Sequence, residues 1–117
     1  MLFEKVTIVG LGLIGGSLAW ALRESGEVRT VCGVDSDPGS VDYAVETGIV
    51  DEGSTDAAEA ASGAEVIVAA TYVGGIADTV KSLIPHADDG ALITDVGSVK
   101  AAVVREIEGF IPARLGF

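Results

Sequence analysis

Val6-Thr7-Ile8-Val9-Gly10-Leu11-Gly12-Leu13-Ile14-Gly15-Gly16-Ser17 is the stretch that decides the fold: a β-branched, apolar run that leads straight into a cluster of glycines. Residues 6–9 suit a strand buried on both faces, and the helix-favouring residues through Leu22 suit the helix that follows. Between them, Gly10, Gly12 and Gly15 match G-x-G-x-x-G. With 16 glycines in 117 residues the bare pattern is weakly specific, so its context carries the reading. The turn lies between a strand and a helix, and Asp35 ends the next apolar run 20 residues after Gly15, where a dinucleotide-binding turn has its ribose-binding acid.

Each residue then has a physical task. Gly10 permits the tight turn, Gly12 lets the backbone approach a pyrophosphate, and Gly15 lets the helix pack closely on the sheet. The free N–H groups at the helix start receive the anion, so an acidic chain can hold a dinucleotide without a lysine or arginine, and Leu13 and Ile14 belong to the binding set. Gly16 and Ser17 are equally well explained by helix packing. Asp35 would accept hydrogen bonds from ribose hydroxyls, with Ser36 beside it. No nearby cation offers a place for a 2′-phosphate, which predicts NAD over NADP. The plainer alternative is that Asp35 caps the turn into the second helix.

Outward from the turn, apolar runs at 28–34, 66–70 and 91–94 join 6–9 as strands, and helical patterns fall at 13–24, 38–46, 55–61, 75–84 and 99–108. The second helix is well punctuated, with Asp37 as N-cap, Pro38 in its first turn and Gly48 past its end. Strands alternating with helices predict one α/β dinucleotide-binding domain over 1–117, a Rossmann-type doubly wound, mostly parallel sheet. Residues 112–117 read as the approach to a fifth strand, so the sheet is expected to be truncated there.

Composition excludes several functions. Eighteen acidic residues against seven Lys+Arg give a formal charge of -11, which leaves no basic footprint for nucleic acid or an anionic membrane. One cysteine and one histidine can make neither an internal disulfide nor a zinc cluster, so no metal is expected and a reducing, cytoplasmic compartment is. Residues 6–22 carry no charge and superficially resemble a signal peptide or short membrane span, but the four glycines within them favour strand, turn and helix. The acid surplus is compatible with adaptation to high salt and equally with an ordinary acidic enzyme.

GLGLIGGSLAWAL at 10–22, GVDSDP at 33–38, GIVDEGSTD at 48–56 and above all ITDVGSVKAAVV at 93–104 resemble the cofactor domain of prephenate dehydrogenases over nearly the whole chain. The resemblance implies oxidative decarboxylation of prephenate, or of arogenate, in tyrosine biosynthesis, with NAD accepting the hydride and a homodimer formed through a second, helical substrate and dimerisation domain that is expected to be absent from 1–117. It also implies that Ser98 lies beside the nicotinamide and helps orient the substrate hydroxyl together with a histidine of a Gly-His-Pro motif. No such motif occurs in the chain, and His86 does not replace it. The loop containing Thr71 is implied to border the cofactor's ribose and nicotinamide, although Tyr72 stands where relatives often have proline.

Other readings compete. Ser98 is independently a good N-cap for a helix at 99–108, and Lys100 suits a solvated first turn as well as a substrate contact. Cys32 reads as a small buried hydrophobe, Trp20 as packing on the sheet or on an interdomain surface, and His86 as part of an exposed turn. Alternative functions are another two-domain dehydrogenase or reductase, such as a hydroxyacid dehydrogenase or pyrroline carboxylate reductase, and a non-enzymatic NAD-sensing regulatory module.

Overall fold

The structure, a computed structural model, describes residues 2–71 and 76–95. In chain order it runs β1 (Phe3–Val9), α1 (Leu13–Ser25), β2 (Val28–Val34), α2 (Pro38–Glu46), β3 (Glu52–Ser54), α3 (Ala57–Ala61), β4 (Val66–Ala69), α4 (Ile76–Leu83), a 3-10 turn (Ile84–His86) and β5 (Leu92–Asp95). The strands form one parallel sheet in the order β3-β2-β1-β4-β5. All five strands therefore end on the same edge. The chain leaves β1 toward one side of the sheet for β2 and β3 and later returns past it for β4 and β5, so the order reverses between β1 and β4. In doubly wound folds that switch point opens a crevice.

Two apolar layers flank the sheet. Val6, Ile8, Val31 and Val68 pack toward Ala19 of α1 and Ala44 of α2, whereas Val9, Cys32, Val34, Ile67 and Ile93 meet Ala60, Ala61, Val80 and Leu83 from α3 and α4. The strands are apolar on both sides because both sides are covered, as parallel strands require. Small residues on the helices allow close approach. Thr7, fully buried within β1, is satisfied by donating from Oγ1 to the Ala60 carbonyl at 2.7 Å.

The four strands expected from apolar runs are present, with ends shifted by up to three residues. The count needs correction, however: Glu52–Ser54 is a strand that the apolar pattern missed, so the sheet already has five strands by Asp95. Among the described residues it sits at the edge and pairs only with β2, and its residues are exposed or half-buried, so hydrophobicity gave no signal. The further strand expected after 112 and the helix expected at 99–108 lie outside the described residues. The third helix starts at Ala57, two residues late, because Asp56 is its N-cap and accepts from the Ala58 and Glu59 amides.

Residues 6–22, the stretch that superficially resembled a membrane span, divide into the end of β1, the glycine turn and most of α1. Among the described residues no helix is long and apolar enough to cross a membrane. Cys32 is buried at 3% exposure, and loss of hydration pushes its thiol up from 9.0 to about 11. His86 is exposed but belongs to the 3-10 turn after α4. Trp20 does not pack on the sheet; it is 47% exposed and lines a groove between α1 and α2.

Candidate dinucleotide site

The glycine turn is built by contacts that its neighbours impose. Gly10 leaves β1 with φ 106°, a conformation that favours glycine, and its N–H donates to the Val34 carbonyl at 2.7 Å, tying the turn to the end of β2. A Cβ there would stand 2.7 Å from the Ala70 carbonyl oxygen. At Gly15 a Cβ would fall on the carbonyl oxygen of Gly10, so α1 can begin this close to the turn only without a side chain. Gly12 differs. Its φ of -72° is open to any residue, and a Cβ would meet nothing within 4 Å among the described residues.

Gly12 is also the N-cap of α1, and no side chain caps it. The first backbone amide to find its acceptor across the helix start is Gly16, which donates to Gly12 at 2.8 Å. The amides ahead of it are the donors that every helix start leaves over, and here they open beside the exposed Gly12, Leu13 and Ile14. Such donors and the helix dipole favour an anion.

Asp35 closes the other side of the turn. Its Oδ2 accepts the Leu11 amide at 2.9 Å, its Oδ1 accepts the Asp37 amide at 3.0 Å, and its own N–H donates to Ser54 of β3 at 3.3 Å. The N-cap of α2 is Asp37, whose Oδ1 accepts from the Gly39 amide at 3.1 Å, while Asp35 bonds the turn ahead of it, so the structural role of capping that turn and a role toward a ligand are compatible at Asp35. A carboxylate offers about four acceptor positions. Among the described residues two amides are bound, which leaves half of Asp35's capacity for other donors.

A cleft of about 540 Å³ opens at the switch point, lined by Gly10, Gly12, Asp35, Ser36 and Thr71 among others. Six of the eight residues that sequence reasoning assigned to the cofactor thus bear on one place, five along the cleft and Gly15 beneath the turn. Leu13 instead lines the neighbouring α1–α2 groove, while Ile14 is exposed on the same turn of helix. Thr71, at the end of β4, buries a hydroxyl that has no hydrogen-bond partner among the described residues. Sequence reasoning missed the α4 wall of the cleft, Asp78, Thr79 and Ser82, because nothing in a helix's own pattern says which groove it borders. Ser98 and Lys100 lie outside the described residues. No group of three or more metal-ligating side chains occurs among the described residues.

Known proteins share this fold. The prephenate dehydrogenase of Bacillus subtilis (strain 168) is 30% identical over 118 residues, covering 97% of this chain and 31% of that protein. Prephenate dehydrogenase from Aquifex aeolicus, solved with hydroxyphenyl propionate and NAD+, superposes with TM-score 0.86 at 33% identity over 96% of this chain and 40% of that one. Synechocystis arogenate dehydrogenase gives 0.84 at 38% identity over 91% of this chain and 37% of that one. The chain spans about a third of the length of the curated relatives it matches. The family described as "Prephenate dehydrogenase, nucleotide-binding domain" matches residues 18–117, beginning beyond the glycine turn, so the turn and the family match rest on separate parts of the sequence. Fold, turn and sequence converge, and the chain belongs to the family of prephenate dehydrogenase nucleotide-binding domains.

Proposed function

We propose that the chain is the NAD-holding domain of a dehydrogenase that oxidatively decarboxylates prephenate, or its amino counterpart arogenate. The observation that carries the nucleotide reading is the pairing of an open helix start at Gly12 with a half-used carboxylate at Asp35 on one cleft. The buried Thr71 hydroxyl supports it, since a buried hydroxyl without a partner is costly and a ligand in the cleft would supply one. Gly10 and Gly15 shape the turn, the amides near Leu13 and Ile14 meet the pyrophosphate, and Asp35 and Ser36 meet the adenosine ribose. None of the described cleft residues is a lysine or arginine, so a 2′-phosphate beside Asp35 would meet uncompensated negative charge.

A nicotinamide dinucleotide held there supplies a hydride acceptor. In the proposed reaction the substrate's carbinol C–H bond breaks as hydride leaves, the ring carboxylate departs as carbon dioxide, and its bonding electrons aromatise the ring. Ser98 is proposed to orient the substrate hydroxyl, whose proton a base shares as the hydride departs. The likeness to prephenate and arogenate dehydrogenases supports this substrate class; a cytoplasmic place in tyrosine biosynthesis and assembly as a homodimer are further parts of the proposal.

Calorimetric titration of the chain with NAD and with NADP tests the nucleotide reading. NAD should bind at least about tenfold more tightly, the worth of one charge-assisted contact. Equal or tighter binding of NADP would overturn the role given to Asp35.

A further inference from the structure

The cleft has an acidic wall on each side. Asp35 and Ser36 line it from the end of β2, Thr55 and Ala57 from the start of α3, and Asp78, Thr79 and Ser82 from α4, over a floor containing Val9, Val34 and Ala70. An apolar floor between polar walls suits a flat heteroaromatic ring with hydrogen-bonding edges. Asp35 already holds two backbone amides and stands against the glycine turn. Asp78 stands across the cleft in the first turn of α4, is exposed, and has no part in the apolar core.

The α4 residues differ in what they can discriminate. The Thr79 hydroxyl can either donate or accept, so it tolerates an amino or a carbonyl group alike, whereas the Ser82 hydroxyl already donates to the Thr79 carbonyl at 2.7 Å. An ionised carboxylate only accepts. Resting on the nucleotide reading above, we propose that Asp78 is a specificity-determining residue that reads the cofactor's base. Its carboxylate accepts from the exocyclic amino group of adenine, and it disfavours a purine that carries a carbonyl oxygen there. A carbonyl in that place sets acceptor against acceptor and removes the exocyclic donor that the carboxylate meets in adenine.

Wild type and Asp78→Asn are titrated calorimetrically with NAD and with nicotinamide hypoxanthine dinucleotide, which differs at that amino group. Wild type should prefer NAD by about tenfold, in line with one hydrogen bond to a charged group. The carboxamide introduced by Asp78→Asn can present either its oxygen or its NH2, so in that variant the two affinities should come within about twofold. Equal affinities in wild type overturn the assignment while leaving the nucleotide reading intact. A variant that binds both dinucleotides more weakly by the same factor also overturns it, because Asp78 would then serve only the start of α4. Failure of wild type to bind either dinucleotide removes the nucleotide reading and the assignment with it. A thermal melt of the variant checks that it is folded.

Discussion

The two sides of the glycine turn are occupied by the same residue type for different reasons. On the inner side, Gly10 lies against the Ala70 carbonyl and Gly15 against the Gly10 carbonyl, so the protein's own backbone forbids a side chain. On the outer side, Gly12 has an ordinary φ and no described residue within reach of a Cβ. Fold alone explains the first two glycines. The third is left for something that approaches from outside, and the cleft with Asp35 and Thr71 lies on that side. Stability and affinity should therefore separate along a turn of six residues.

The largest effect is expected at Gly15. Substitution by alanine puts Cβ onto a carbonyl oxygen that cannot yield without moving the end of β1, and should cost about 3 kcal/mol or more in urea unfolding. Gly10→Ala should follow at about 2 kcal/mol, from the positive φ and the contact with Ala70. A stable Gly15→Ala protein would break the comparison at its inner side.

Gly12→Val sharpens it from the other side. Unfolding free energy should stay within about 0.5 kcal/mol of wild type, as for a surface change, while NAD affinity falls at least about tenfold. Thr71→Val should leave stability unchanged or slightly raised, because the lost hydroxyl has no hydrogen-bond partner among the described residues, and should weaken NAD by about fivefold. A destabilised Thr71→Val would show that the hydroxyl serves the fold.

The closed interior itself gives the smallest effect. Cys32, buried on β2 with its thiol held near 11, should resist alkylation at pH 8 in the folded protein and react on unfolding. The sign with pH follows from the raised value. The folded state keeps the proton where the unfolded thiol has begun to lose it, so this contribution is whole below about 9 and is lost as pH rises toward 11. Stability that holds constant through that window would contradict the burial of Cys32.

Much of this was legible along the chain. The β-branched run before Gly10, the spacing of the three glycines and the acid at Asp35 are local patterns, and local patterns identify a strand, a turn and a helix start. Asp37 and Pro38 likewise announced α2 correctly, since capping is chemistry between near neighbours. Glu52–Ser54 was not legible. A short, exposed edge strand carries no apolar signature, yet its Ser54 carbonyl receives the amide of Asp35 and so helps seat that acid.

The sequence by itself determined the glycine turn, the acid after the second strand, the alternation of strands and helices, and the resemblance that named a family. The tertiary structure decided which glycines serve the fold and which one does not, because a carbonyl 60 residues away in the chain closes on Gly10 and no described residue closes on Gly12. It also decided that α4 brings Asp78 to the same cleft as Asp35, and that Trp20 faces a groove and not the sheet. These are relations between distant segments, fixed by how parallel strands line up on one edge, and no periodicity along the chain encodes them.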